Sequence, residues 1–588
     1  MCGIFFLTQL AKEYSNVSIN KIKQAFKSGK GRGPDNSIFI HNFSKSINHY
    51  LPQNEQQYFH VGFHRLAING LDEESNQPLV VDRVALICNG EIYNYKELYT
   101  EHNIIPQTNS DCEVIIHLYL KYGIAKTLQL LHGVFAFVII DDRNKKLAIE
   151  ESLDKYHALS YYKTIPNEDF YDRTVIIARD AYGIRPMFIA ENEDNTFGVS
   201  SVLKQLTPLT QAKVKQFTPG TYKQFFYNDG LMISNAHYDF KCELLFSKTK
   251  PLNNDNMAAV CFNVNRLLNE AVKMRVYNTD RPVACLLSGG LDSSLITALV
   301  AKYVSDPNQL NTFSIGMSGA SDLKYAQKVA SHLGSNHHEI IVSEDDFFEA
   351  IPVVIKAIES YDTTTVRASV GNYLIGKYIS ENCDAKVIFN GDGSDELFGG
   401  YLYMHYAPNS AEFDKETKRL LDNIHYFDVL RSDRCISCHG LEPRTPFMDV
   451  NLIAYYLSVS NDIRNHSSNE NKTNKLPEKY ILRKAFSHDN LLPNSVLWRT
   501  KEAFSDGVSN EDNSWHTIIK RRLESHRKDI METPGYTSAL SLEQNYYKQI
   551  FTMCYSGNDH IIPYYWMPKF TNATDCSARS LGIYKELQ

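Results

Sequence analysis

Apolar positions along this chain follow two regimes. Up to residue 240 the apolar runs are short, and Gly, Asn and Asp punctuate them. Ser37–Ile40, Val84–Cys88, Val134–Ile140, Val175–Ala178 and Met187–Ala190 are of this kind. Runs of that length between turn formers predict strands, with two or three helices among them, such as Cys112–Lys121. From about residue 257 the pattern becomes strand, loop, helix, repeated. Pro282–Leu287, Leu310–Ile315, Glu339–Val342 and Lys386–Asn390 read as strands, and Asp292–Tyr303 as a helix. Leu323–Leu333 is a second helix, apolar at 323, 326, 329, 330 and 333. Such alternation predicts a parallel sheet covered by helices. Between the regimes, 241–256 is polar and contains Pro251, which predicts a linker. Ser460–Lys475 is Asn-rich and reads as a mobile loop.

At 588 residues the chain exceeds one hydrophobic core, and two domains are expected, 2–240 and 241–588. The first is α+β and the second α/β with a parallel sheet. A formal charge of −7 gives no drive toward nucleic acid or an anionic membrane surface. The longest apolar run, Val134–Ile140, is a buried strand, too short for a membrane span. Lys12 and Glu13 interrupt any early apolar stretch that would serve as a signal peptide. Eleven cysteines without paired spacing fit a reducing compartment, so a cytoplasmic protein is expected. Cys435-Ile436-Ser437-Cys438-His439 has the spacing of a haem attachment site, but without export or a second cysteine pair it reads as two thiols near a helix turn. His337-His338-Glu339 reads as the start of a strand.

Chemistry enters at Cys2. Once Met1 is removed, Cys2 carries a thiol and a free α-amine on one residue. An α-amine has a reference pKa near 8, so it can take the thiol proton, and the thiolate is the nucleophile. In the second half, Ser288-Gly289-Gly290-Leu291-Asp292-Ser293-Ser294 follows a strand and opens a helix. Backbone N–H groups converge there, and the glycines let phosphate oxygens approach. Asp292 suits a magnesium ion that bridges phosphates. The lysine of a Walker loop is absent, and the run resembles the pyrophosphate loop of ATP pyrophosphatases. A second cluster, Gly391-Asp392-Gly393-Ser394-Asp395-Glu396 with Gly399-Gly400-Tyr401, also follows a strand. Ligands of open parallel sheets bind at the carboxyl ends of strands, so both loops can face one crevice with Asp292 and Asp395 holding Mg²⁺. Glu478–Arg483 and Trp498–Glu502 supply cations for a leaving pyrophosphate. Each taken alone reads as a solvated helix face.

Together the motifs carry a family resemblance. Cys2-Gly3-Ile4, Arg32-Gly33-Pro34-Asp35, His64-Arg65-Leu66, Asn89-Gly90-Glu91-Ile92-Tyr93-Asn94, Ser110-Asp111, Arg179-Asp180 and Gly183-Ile184-Arg185-Pro186 resemble the class II glutamine amidotransferase domain. With the pyrophosphate loop, Ser360-Tyr361-Asp362 through Arg367-Ala368-Ser369, Arg444–Asp449 and Phe504–Val508, nearly the whole chain except the last few dozen residues resembles the glutamine-hydrolysing asparagine synthetases. The resemblance implies a four-layer αββα domain of the N-terminal-nucleophile type, followed by an ATP-pyrophosphatase domain.

It also implies roles. Cys2 attacks the glutamine side-chain amide, and Asn89 and Gly90 stabilise the oxyanion. Arg65 pairs with the glutamine carboxylate; Leu66, Ala67, Ile68 and Asn69 complete the pocket, and Glu91 and Asp111 hold the amine. Ser288, Gly289, Gly290, Ser293, Ser294, Asn390 and Gly391 meet ATP, Leu286 and Ile315 line its adenine pocket, and Lys479 meets pyrophosphate. Arg367 and Asp506 are candidates for aspartate, with Asp292 and Asp395 for the metal. ATP with Mg²⁺ is expected as a substrate complex, with no prosthetic group. A tunnel for ammonia and a homodimer are implied too. Three departures stand out. Asp392 replaces a family glutamate associated with forming the acyl adenylate and handling the amine's proton, Asn390 replaces a serine, and Glu150–Arg173 is a polar, Tyr-rich insertion. Two other readings stay open: an amidotransferase for another carboxylate, and an inactive glutamine or nucleotide sensor.

Overall fold

The computed structural model describes residues 1–10, 17–43, 57–143, 145–146, 170–228, 231–248, 256–467, 476–510 and 513–587. The chain divides into two compact units, with the boundary between Cys242 and Glu243.

Among the described residues the first unit holds two six-stranded sheets. In one, Gly3–Leu10 lies between Gln57–Arg65 and Phe197–Ser200, antiparallel to both. In the other, Val84–Ile92, Gly133–Asp141 and Arg173–Arg179 are successive antiparallel neighbours. The two-residue period of a strand explains the layering. Ile4 and Phe6 point into a core shared with Ala85, Ile87, Val138 and Ile177 of the second sheet. Phe5 points the other way, toward Phe26 of the helix Ile19–Lys27, with ring centroids 5.9 Å apart. On the second sheet's outer side lie Tyr95–Glu101 and Val114–Leu130; Tyr119 of the latter donates to Asp141 at 2.8 Å. The result is the αββα arrangement. Both faces of Gly3–Leu10 are covered, so Ile4, Phe5, Phe6 and Leu7 are all buried. Truncating a core aromatic such as Phe26 to Ala costs about 3–5 kcal/mol in sites of this kind.

The second unit is built on a five-stranded sheet of parallel neighbours. Its order is Asn336–Ile341, Asn311–Gly316, Val283–Leu286, Val387–Phe389, Glu442–Arg444. Val283–Leu286 comes first in the chain yet sits in the middle, so strand order reverses on either side of it. The crevice outside the carboxyl ends at such a reversal is where open sheets bind ligands. No helix among the described residues is long and apolar enough to cross a membrane.

Several elements differ from expectation. The region 241–256 is not a linker throughout. Asp239 accepts the Lys241 N–H at 2.9 Å, opening the helix Lys241–Lys248, and Leu244 is buried. Residues 249–255 lie outside the described residues. Asn461–Arg464 is a helical turn rather than loop, because buried Arg464 donates to Val459 O at 3.0 Å and to Asp414; 468–475 lie outside the described residues. The expected helix Cys112–Lys121 opens with a 3₁₀ turn, Asp111–Glu113, and continues to Leu130 through a break at Gly123 (φ 74°). His337 and His338 are inside a strand that begins at Asn336. Of the 150–173 insertion, residues 150–169 lie outside the described residues; Phe170–Tyr171, within it, pairs antiparallel with Lys145–Lys146.

Candidate active site

The first unit gathers one candidate site around Cys2. The Cys2 thiol lies 3.5 Å from Leu66 O, and Arg32 Nε donates to Cys2 O at 3.0 Å. The turn after Arg32 must be tight: a Cβ on Gly33 would stand 2.3 Å from His64 O. That turn brings Asp35 to the Ala67 N–H, which it accepts at 2.9 Å. Arg65 extends its fork to Asp72 O at 2.8 Å, to Asn76 Oδ1 at 2.9 Å and to Gly70 O. Asn69 donates to Glu91 Oε2 at 2.6 Å, and Asp111 accepts the Ile92 N–H at 2.6 Å. Cys2, Arg65, Leu66, Ala67, Ile68, Asn69, Glu91 and Asp111 are thereby tied into one neighbourhood.

Asn89 and Gly90 sit on the strand Val84–Ile92. Asn89 is fully buried, and neither atom of its amide has a hydrogen-bond partner among the described residues. A buried amide left unpaired costs about 1–3 kcal/mol per group, which a ligand oxygen would relieve. A Cβ on Gly90 would stand 2.6 Å from Val134 O.

The second unit holds a cleft of about 1180 Å³, its open mouth included, at the carboxyl ends of Val283–Leu286 and Val387–Phe389. Gly289 has φ 76°, and a Cβ there would meet Ala326 N at 2.4 Å. Only glycine satisfies both conditions. Ser293 Oγ accepts the Ser288 N–H at 3.1 Å and lies 2.9 Å from Ser288 Oγ, which folds the loop over the first turn of Leu291–Tyr303. Gly290 caps that helix without a side-chain hydrogen bond. The N-terminal N–H groups of the helix are therefore suited to anions.

Lys479 lies between the two loops. Its ammonium is 2.5 Å from Asp292 Oδ2 and 2.6 Å from Asp395 Oδ1, and Lys501 donates to Asp395 Oδ2 at 2.6 Å. Burial pushes the Asp395 carboxyl up, but the two ammonium groups outweigh it and hold it well below the usual range. Burial likewise opposes the charge on Lys501, and Asp395 and Asp292 overcome it, so its ammonium stays protonated. Asp292 Oδ1 has no hydrogen-bond partner among the described residues. Nor is there, among them, a group of three or more side chains able to hold a metal ion by itself. Two converging carboxylates with a spare oxygen fit a hard cation that brings its other ligands with phosphate and water.

Residues 1–156 match the glutamine amidotransferase domain family, and residues 263–414 and 407–560 match asparagine synthase. A Gallus gallus asparagine synthetase [glutamine-hydrolyzing] is 39% identical over 612 residues, covering 100% of this chain and 99% of its own length. Its Rattus norvegicus counterpart is 40% identical over 610 residues with the same coverage. The Homo sapiens enzyme is 39% identical over 610 residues, again across 100% and 99% of the two chains. The chain belongs to the glutamine-hydrolysing asparagine synthetase family.

In this asparagine synthetase family member the cleft brings together Leu286, Ser288, Gly290, Asp292, Ser293, Asn390, Gly391, Asp392, Asp395 and Lys479. Other expected contacts lie off its wall. Ser294 and Ile315 are buried within their helix and strand. Arg367 is committed elsewhere, donating to both oxygens of Glu543 (2.8 and 2.6 Å) and both of Asp575 (2.8 and 2.9 Å). Asp506 is buried and accepts from Ser577 Oγ at 2.9 Å. The two cationic stretches are not solvated faces either. Lys479 and Arg483 are buried, and Arg499 donates to Asp322 and Glu502, both at 2.9 Å.

Sequence reasoning missed Asp428 and Arg431, which line the same cleft. They share one turn of the helix Asp428–Ser437, and no glycine-rich loop or motif marks them. Their charged i, i+3 spacing is the only local signal, and it is the spacing of an ordinary helix-surface pair.

Proposed function

We propose that this chain makes asparagine from aspartate, with glutamine as nitrogen donor and ATP split to AMP and pyrophosphate. In the first unit Cys2 is the nucleophile, and its α-amine, free once Met1 is removed, is the base. Asn89 Nδ2 and the Gly90 N–H receive the oxyanion, where such donors are each worth about 2.7–4 kcal/mol of barrier. Arg65 faces the glutamine α-carboxylate while Glu91 and Asp111 face its amine. Leu66, Ala67, Ile68 and Asn69 shape the pocket. Glutamine and water give glutamate and ammonia.

In the second unit an aspartate β-carboxylate oxygen attacks the α-phosphorus of ATP. A P–O bond forms, the bond to the β-phosphate oxygen breaks, and pyrophosphate leaves. The loop 288–293 cradles phosphate oxygens on its N–H groups and hydroxyls. Lys479 and Lys501 neutralise the departing pyrophosphate. Asp292 and Asp395 would hold Mg²⁺, which offsets phosphate charge when bound. Ammonia then attacks the acyl carbon of β-aspartyl-AMP, forming the amide and releasing AMP. Arg367 and Asp506, off the cleft wall, support aspartate binding by fixing the helix Thr363–Asn382 and the turn Phe504–Gly507. Homodimer assembly and a cytoplasmic setting belong to the same reading and rest on the family.

The observation that supports this reading most is the convergence of Asp292, Asp395, Lys479 and Lys501 at the reversal of strand order. Mass analysis of the products from glutamine, aspartate and MgATP tests it. Asparagine, glutamate, AMP and pyrophosphate are expected. ADP with phosphate, or amidation of another carboxylate in preference to aspartate, would contradict it.

A further inference from the structure

Beyond Asp392 the cleft wall carries a second carboxylate on the same arginine. Arg431 Nη2 donates to Asp392 Oδ1 at 2.8 Å and to Asp428 Oδ1 at 2.6 Å. The other oxygen of Asp428 accepts from the Tyr401 hydroxyl at 3.0 Å, which also lies 2.6 Å from Glu396 Oε1. Asp428 is therefore gripped at both oxygens, and its side chain is 25% exposed against 16% for Asp392. Tyr401, in turn, is fixed by its ring, whose centroid is 5.1 Å from that of Trp566. Burial opposes the charge on Asp428, but Arg431 outweighs it, so this carboxylate is ionised at neutral pH.

Amide formation needs a proton acceptor at this wall. When ammonia bonds to the acyl carbon its nitrogen becomes positive. Unless a proton leaves, the nitrogen is the better leaving group and ammonia is expelled again. Asp392 is one methylene short for the task and the less exposed of the two carboxylates. We propose that Asp428 is the proton acceptor of the amide-forming step, with Tyr401 and Arg431 as its positioning residues. The N–H bond breaks, its electron pair stays on nitrogen, and the proton passes to the Asp428 carboxylate. The C–O bond to AMP then breaks, AMP leaves as the anion, and Asp428 later returns its proton to water. Asp392 serves here by sharing the same Arg431 nitrogen, which it accepts from at 2.8 Å. The assignment rests on the asparagine-forming reading.

The test uses the full chain with aspartate and MgATP, and either ammonia or hydroxylamine as nucleophile. Asparagine, aspartyl hydroxamate and pyrophosphate are each measured. Once attached, hydroxylamine nitrogen loses its proton to water far more readily than ammonia nitrogen does, so it depends less on a protein base. In Asp428→Asn, ammonia-dependent asparagine formation should fall by ~10²-fold or more, as for loss of a general base. Hydroxamate formation and its pyrophosphate release should stay near wild type. Tyr401→Phe should show a smaller loss with the same split between nucleophiles, and supplies the answer if Asp428→Asn does not fold. Asp428→Glu, which keeps the charge, should recover much of the ammonia-dependent rate. Normal ammonia-dependent turnover in Asp428→Asn, or equal losses with both nucleophiles, would overturn the assignment alone. A wild-type chain that makes no asparagine from ammonia would overturn the reading beneath it.

Discussion

Lys479 reaches Asp292 across 187 positions of sequence, its Nζ 2.5 Å from Oδ2. Left-handed backbone at φ 57° places it there, just ahead of the helix Tyr480–Ala485. A non-glycine residue in that conformation is uncommon. The same ammonium meets Asp395, so one buried cation holds the two glycine-rich loops at a common point. Because the cation is protein-borne, the loops are gathered before any nucleotide arrives.

Lys479→Met should therefore cost stability as well as activity. Removing one partner from a buried charge cluster costs about 3–5 kcal/mol, and the Lys479 side chain is only 1% exposed. Thermal melting should show a lowered Tm, and MgCl₂ should raise the Tm of the variant more than that of wild type, by supplying a cation to Asp292 and Asp395. A Tm equal to wild type with no response to Mg²⁺ would remove both the clamp and the metal assignment.

Cys2→Ala should abolish glutamine-dependent asparagine synthesis and leave ammonia-dependent synthesis largely intact. Cys2 and the cleft lie in separate compact units, and the proposed function assigns thiol chemistry to one and adenylation to the other. Parallel assays with glutamine and with concentrated ammonium salt check this. Loss of both activities in a folded variant would break the division of labour.

Asp395→Asn should suppress pyrophosphate release while glutamine hydrolysis persists. The substitution removes the charge to which Lys501 and Lys479 are paired. Coupled pyrophosphate detection beside a glutamate assay separates the two. Unchanged pyrophosphate release would take Asp395 out of the phosphate site.

Asp322 gives a pH dependence. Burial outweighs the attraction of Arg499 and lifts this carboxyl to about 6, above the ordinary value of about 4. The folded chain thus keeps a proton that the unfolded chain has lost. Stability from this group is present below about pH 4 and is lost as pH rises through about 6. Asp322→Asn removes the charge that becomes costly, so its Tm relative to wild type should rise between about pH 4 and 6 and level off above. A relative Tm that stays flat or falls over that interval would contradict the account.

Legibility in the sequence tracked locality. Ser288–Ser294 and Gly391–Glu396 were readable because a strand, a glycine-rich turn and a helix start are contiguous, and the turn geometry follows from glycine itself. Apolar runs made part of each large sheet readable, such as Val134–Ile140 and Pro282–Leu287, whereas Gly3–Leu10 and Glu442–Arg444 were not anticipated as strands. Taken alone, the stretch holding Lys479 reads as a solvated face and only the family resemblance sets Lys479 at the phosphates, because its position depends on one left-handed residue, which leaves no compositional trace. Arg367 was a candidate for aspartate, yet the carboxylates that occupy it, Glu543 and Asp575, come from distant segments. Asp428 and Arg431 were invisible for the same reason: their meaning comes from Asp392 and Tyr401, brought alongside only by the fold.

Nitrogen released from glutamine should end in asparagine at the expense of ATP cleaved between its α and β phosphates. Glutamine labelled with ¹⁵N in the side-chain amide, incubated with aspartate, MgATP and the wild-type chain, tests it most directly. ¹⁵N is expected in the asparagine side-chain amide, with AMP and pyrophosphate formed in equal amount to the asparagine. Label recovered only as free ammonium, or amide formation accompanied by ADP and phosphate, would contradict it.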